Sequence, residues 1–173
     1  MKGKIFAAID VGSYELNLKI YNVTASGMSQ VDDVRYRLDL GSDTYAQGKI
    51  ENERVEELCR ILKEFKEIMT TYKVDDYKAY ATSAIRETQN TVVLLDLIEQ
   101  RTGVKLEVLS NSEQRFLDYK SVASKGEVFN RIIEKGTAIV DIGGGSMQIS
   151  LFDKDTLVTT QNIRLGILRI RER

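Results

Sequence analysis

The chain has 173 residues, 42% of them hydrophobic and 29% charged, and 25 basic against 26 acidic residues leave a net charge of −1. Such a composition belongs to a globular chain of one domain or two small lobes, and near-neutral charge without a basic tract argues against nucleic acid or an anionic membrane as partner. One cysteine, Cys59, and no histidine exclude an intrachain disulfide, the usual zinc sites and histidine-dependent triads.

Acid–base chemistry therefore falls to carboxylates, lysines, tyrosines or water. The apolar run Ile5 to Ile9 is ended by Asp10. It is too short for a signal-peptide core, and no later stretch has the length to cross a bilayer, so the cytoplasm is the expected location.

In chain order, Lys4 to Val11, Glu15 to Val23 and Met28 to Arg37 predict three strands of an antiparallel meander, joined by Gly12-Ser13 and by a turn at Ser26-Gly27. Gly41 to Gly48 reads as a polar loop. Asn52 is placed to cap a long helix whose apolar residues Val55, Leu58, Ile61, Leu62, Phe65, Ile68 and Met69 recur at three- and four-residue steps. That stripe reads as core, and Cys59 beside it as a small buried hydrophobe without a cationic neighbour.

A strand over Tyr77 to Ala81, a helix over Thr91 to Arg101 closed by Gly103, and a strand over Lys105 to Leu109 follow. A helix then runs from Ser112 to about Val122, and a short helical piece ends near Glu134. A second Asp-Gly strand beginning at Thr137 and strands over Met147 to Phe152 and Leu157 to Ile163, with a tight Asp153-Lys154-Asp155 turn, repeat the opening plan. A helix should follow Gly166. Arg164, Arg169, Arg171 and Arg173 read as one face of it, with Arg164 able to approach a cleft. The predicted organisation is a first lobe over residues 1–122 and the beginning of a second over 123–173, the front part of a longer two-lobed protein.

The repeat carries the chemistry. Ala7-Ala8-Ile9-Asp10-Val11-Gly12-Ser13 and Ala138-Ile139-Val140-Asp141-Ile142-Gly143-Gly144-Gly145-Ser146 are each an apolar strand that delivers an aspartate, then a glycine turn with a hydroxyl. Glycine lets backbone N–H groups approach an anion closely, and the carboxylate suits a cation. Three successive glycines cost backbone entropy and give no packing, so Gly143-Gly144-Gly145 is poorly explained as a simple turn.

Ala7 to Ser13, the run Ala81-Thr82-Ser83-Ala84-Ile85-Arg86-Glu87-Thr88-Gln89-Asn90, Glu107 to Ser110, Asp141 to Ser146 and Leu165-Gly166 together resemble, in order and spacing, the exopolyphosphatase and guanosine pentaphosphate phosphatase (Ppx/GppA) family. The resemblance covers essentially the whole chain. It implies an α/β fold of the actin-like ATPase (sugar kinase, Hsp70 and actin) superfamily, with ribonuclease-H-like lobes, the second truncated, and an active site in the cleft between them.

By position, the resemblance implies that Asp10 and Asp141 hold Mg²⁺ or its waters, that Gly12, Ser13, Gly143, Gly144, Gly145 and Ser146 cradle phosphates, and that Arg86, at a strand end, clamps a phosphate. The implied partners are polyphosphate or guanosine pentaphosphate and, for a full-length protein, a second copy. In the family, a Glu-Glu-Ala-Arg sequence opens the helix after a Ser-Gly pair, and its second glutamate looks like the base that activates water. Aligned without gaps, Gln114 occupies that place, and an amide cannot take a proton from water near neutral pH. A one-residue shift with a compensating insertion would instead make Glu113 the base.

Two further departures thin the reactive groups: Gly12-Ser13-Tyr14-Glu15 replaces Gly-Ser-Asn-Ser, and Ser146-Met147-Gln148 replaces Ser-Thr-Glu. The expected activity is hydrolysis of a terminal phosphoanhydride with a weakened general base. The alternative is a non-catalytic phosphate- or nucleotide-binding relative. A kinase or actin-like ATPase is disfavoured by the Ala81 to Asn90 run.

Overall fold

The computed structural model describes residues 3–124, 126–154 and 156–171, with only the backbone of Val128. Within these, the chain divides into two compact units, Met1–Val108 and Leu109–Arg173. The sequence reading placed the division at residue 122, after the helix that here belongs to the second unit.

In the first unit, β1 (Lys4–Val11), β2 (Glu15–Thr24) and β3 (Gly27–Arg37) form the expected antiparallel meander. β4 (Asp76–Ala81) then lies parallel to β1 on its other side, and a two-residue β5 (Glu107–Val108) extends it, giving the order β3-β2-β1-β4-β5. Parallel pairing requires a crossover, which α1 (Leu40–Gln47) and α2 (Asn52–Thr71) supply. The alternation along β1 and β2 buries Ala7, Ile9, Val11, Leu16, Leu18 and Ile20 on one face, against Leu58, Ile61, Leu62 and Phe65 of α2. α3 (Ser83–Glu87) and α4 (Thr91–Thr102) follow β4, and Leu94 and Ile98 of α4 join the same core.

Several local expectations are corrected. Residues 41–47 are helical, not a loop. Asp39 accepts a hydrogen bond from the Ser42 N–H, and Gly48 closes the helix in the left-handed region at φ 78°, so capping at both ends prevails over polar composition. Asn52 is the first helical residue of α2 and not its cap. That place falls to Glu51, whose N–H is taken by Asp43 Oδ2 at 3.1 Å. Burial pushes the Cys59 thiol up, but Arg101 lies close enough to oppose that shift, so the cysteine does have a cationic neighbour.

The second unit holds α5 (Asn111–Ala123), α6 (Glu127–Ile133), the antiparallel meander β6 (Thr137–Ile142), β7 (Met147–Asp153) and β8 (Thr156–Ile163), and α7 (Ile167–Arg171). Its core is small and aromatic: the Tyr119 ring stacks on Phe152 at 5.7 Å and meets Phe129 edge-on at 5.6 Å. These rings lie on one face of the sheet. The register puts Val140, Ile142 and Leu151 on the other, all exposed. Asp155 of the predicted turn and Arg173 of the arginine run lie outside the described residues. Arg164 precedes α7, so the four arginines do not form one helix face. Among the described residues, no helix is long and apolar enough to cross a membrane.

Candidate functional site

The two Asp-Gly repeats fold into the same object, one in each unit. β1 and β2 are joined through a turn in which Gly12 N–H donates to Glu15 O at 3.0 Å, and β6 and β7 through one in which Gly143 N–H donates to Ser146 O at 2.9 Å. In both, the aspartate stands two residues before the glycine and opposite an amide side chain on the next strand: Asp10 faces Asn17, and Asp141 faces Gln148. A side chain on Gly12 would bring its Cβ to 2.9 Å from Glu15 O, so this turn requires glycine.

Around the first turn, Asp10 is exposed at the edge of a polar depression of about 290 Å³ lined by Glu15, Asn17, Lys19 and Arg35. The Ser13 side chain is held within the first unit. Its hydroxyl is buried and lies 2.7 Å from Tyr45 OH and 2.8 Å from Ser83 Oγ, while Tyr45 OH donates to Ser83 Oγ at 3.0 Å. Three hydroxyls in a closed triangle satisfy one another, so the Ser13 side chain fixes the turn.

Arg86 sits in α3, one turn beyond the end of β4, its N–H bonded to Thr82 O at 2.9 Å. Burial holds its guanidinium below the usual range, opposed by the nearby Glu87 carboxylate and Tyr45. Other residues of the Ala81 to Asn90 run hold the local structure together. Thr88 Oγ1 donates to Asn90 Oδ1, Thr91 Oγ1 to Ile85 O and Thr88 O, and the Gln89 N–H to Gly48 O. Ser13 and Arg86 are thus brought to one corner of the first unit through Tyr45, a residue that sequence reasoning missed. Its only signal was a tyrosine in a stretch taken for a loop.

In the second unit, Gly145 and Ser146 are buried while Gly143 and Gly144 remain partly accessible. Asp141 is half-buried, and burial pushes its carboxyl above the usual carboxylate range. It borders a cavity of about 20 Å³ between α5 and the sheet, together with Arg115, Asp118 and Gln148. Gln148 is 4% exposed, yet neither atom of its amide has a hydrogen-bond partner among the described residues. Asn162, next across the sheet from Gln148, has an unpartnered Nδ2. A volume of this size accommodates about one water.

α5 separates the two candidates for the base. Glu113 closes a capping box: its Oε2 accepts the Ser110 N–H at 2.8 Å, and Ser110 Oγ accepts the Glu113 N–H at 3.2 Å. These bonds hold its carboxyl below the usual range. Gln114, the next residue, has a buried Oε1 without a partner among the described residues. The carboxylate at position 113 is thus occupied by the helix end, and the inward polar group at 114 is an amide.

The chain is 28% identical over 148 residues to Exopolyphosphatase 1 of Mycobacterium tuberculosis, covering 82% of this chain and 40% of that protein. It is 25% identical over 170 residues to the Guanosine-5'-triphosphate,3'-diphosphate pyrophosphatase of Pseudoalteromonas atlantica, covering 98% and 33%. The crystal structure of the Aquifex aeolicus Ppx/GppA family member superposes with a TM-score of 0.78 at 27% identity, over 98% of this chain and 54% of that one. The chain therefore spans from a quarter to about half of the length of the relatives it matches. The fold is the actin-like ATPase α/β fold expected from the sequence. The model of the Ppx/GppA phosphatase family matches residues 19–173, and the chain belongs to that family.

Proposed function

We propose that the chain supplies phosphate-holding turns to a phosphoanhydride hydrolase that removes the terminal phosphate of polyphosphate or guanosine pentaphosphate by in-line attack of water, with a weakened general base. The observation that carries this reading is the duplication: two strand-turn-strand units with the same closing hydrogen bond, each with an aspartate opposite an amide. In phosphoryl transfer the protein mainly positions groups and neutralises charge, which backbone amides and a guanidinium can do.

The donor set of the second unit fits Mg²⁺. Mg²⁺ takes oxygen ligands through one or two carboxylates and phosphate oxygens. The Asp141 carboxyl, whose charged form burial disfavours, and the unpartnered amide oxygen of Gln148 would both be relieved by a bound cation. Asp10 beside Asn17 is the counterpart in the first unit. Bound there, Mg²⁺ would offset the charge of the phosphate oxygens. The protein's own part is donation from the glycine-turn amides to phosphate oxygens, with Arg86 adding a planar cationic donor.

The amide at Gln114 and the helix-capping role of Glu113 favour a second reading, a phosphate- or nucleotide-binding protein without turnover. Phosphate release from polyphosphate and from guanosine pentaphosphate, with and without Mg²⁺, measured beside calorimetric binding of the same compounds, separates the two. Mg²⁺-dependent release supports the hydrolase. Binding without release supports the binder, and absence of both rejects the phosphate-turn reading.

A further inference from the structure

The triple-glycine turn is held from outside. Three consecutive carbonyls of the turn each accept a hydrogen bond from one of three consecutive residues at the start of α7. Ile167 N–H donates to Gly143 O at 3.1 Å, Leu168 N–H to Gly144 O at 3.0 Å, and Arg169 Nε to Gly145 O at 2.7 Å. The approach is close: a Cβ on Gly166 would lie 2.2 Å from Gly144 O. Leu168, 1% exposed, anchors the segment in the unit.

Peptide planarity turns this pattern into a statement about donors. In a trans peptide the C=O and the following N–H point in opposite directions, and no cis bond occurs among the described residues. Drawing the carbonyls of residues 143, 144 and 145 toward α7 therefore directs the N–H groups of Gly144, Gly145 and Ser146 to the opposite side of the turn. Without such a hold, three glycines sample many backbone states, and a ligand would bear the cost of ordering them.

We propose that Gly166–Arg169 is the template that presents the Gly144, Gly145 and Ser146 amides to a phosphate or similar oxyanion, and that Arg169 is a positioning residue acting through the Gly145 carbonyl. The proposal rests on the phosphate-turn reading above. The Arg169 bond is charge-assisted and pulls on the peptide whose other end is the Ser146 N–H, so its loss reaches the ligand without any contact between arginine and ligand.

The test uses the whole chain and inorganic triphosphate as probe. Arg169→Ala should weaken calorimetric affinity about tenfold, the factor set by roughly 1.4 kcal/mol. The dependence of affinity on salt should remain that of wild type. In the ligand-free protein, the ¹⁵N amide resonances of Gly144, Gly145 and Ser146 should move, while those of β7 and β8 stay. Arg169→Gln, which keeps a donor and loses the charge, should recover most of the affinity and provides the measurement if the alanine variant does not fold.

Unchanged affinity in Arg169→Ala overturns the proposal. So does a loss with a shallower salt dependence that Arg169→Gln fails to recover, because the guanidinium would then be touching the anion itself. Gly144→Val serves as control. If it too leaves triphosphate binding intact, the phosphate-turn reading has failed. If it abolishes binding while both Arg169 variants bind normally, only the template is refuted.

Discussion

Gln114→Glu is the most informative perturbation. The Gln114 side chain has a buried oxygen with no partner among the described residues, and exchanging its amide nitrogen for oxygen keeps the volume, so packing is not disturbed. What changes is the ability to accept a proton. A positioned general base contributes about a hundred- to ten-thousand-fold, or roughly 3 to 5 kcal/mol of barrier, and the variant should gain within that span over wild type. Burial raises a carboxyl pKa, so the variant's rate should climb with pH through a midpoint above the ordinary glutamate value, where wild type is flat. Glu113→Gln should leave the rate unchanged, because the Ser110 N–H bond that its carboxylate accepts at 2.8 Å is equally open to an amide oxygen. The assay is single-turnover phosphate release from polyphosphate of defined length in Mg²⁺, between about pH 5 and 9, the range in which such a carboxyl titrates. A fast wild type that Glu113→Gln slows a hundredfold or more would refute the reasoning and make Glu113 the base.

Phe65, wholly buried between α2 and the first sheet, should cost about 3 to 5 kcal/mol when cut to alanine, read as a fall in the urea midpoint at unchanged slope. Ser110→Ala removes the side-chain cap of α5 and should cost about 1 kcal/mol, with faster amide exchange confined to the first turn of that helix. The Glu113 carboxyl titrates below its ordinary value in the folded chain. Its contribution is therefore present above the unfolded pKa and is lost as pH falls through the folded one, and Glu113→Gln should lack that acid-side loss in pH-dependent melting. Tyr45→Phe opens the hydroxyl triangle and should destabilise by about 1 kcal/mol, leaving Ser13 and Ser83 bonded to each other; a neutral result would show that the third hydroxyl contributes nothing.

The sequence shows the fold wherever burial sets a period. The alternation of Glu15 to Ile20 and the three-four spacing from Val55 to Met69 both arise because one side of each element is in contact with the other, and both elements appear as expected. It misleads where capping and long-range contact decide. α1 buries Leu40, Gly41, Asp43 and Thr44, among which only Leu40 is a large apolar residue, so no apolar stripe marks it, and the Asp39 cap and the left-handed Gly48 bound it. α3 is five residues long, too short for any periodicity, and carries Arg86 away from the strand end on which the sequence placed it. The aspartates and glycines of the candidate site were legible because strand-turn-strand spacing is local. The roles of Tyr45 and Arg169 were not, since each acts on a turn 32 or 24 residues away.

The two turns reach one geometry by different means, and the difference accounts for their sequences. In the first, Gly41 N–H takes Ser13 O at 2.8 Å, Leu38 N–H takes Tyr14 O at 3.1 Å, and the Ser13 hydroxyl is bound by Tyr45 and Ser83. Side chains of the turn share in fixing it, so one glycine, at the point where Glu15 O leaves no room for a Cβ, is enough. In the second, Ile167, Leu168 and Arg169 grip the carbonyls of three residues that have no side chains. The ordering that Gly143, Gly144 and Gly145 cannot provide for themselves is supplied by α7, and the glycine requirement spreads to Gly166, which has to touch Gly144. The run Gly143-Gly144-Gly145 and the distant Gly166 are thus one structural feature: backbone gripping backbone, with the amides left facing the other way.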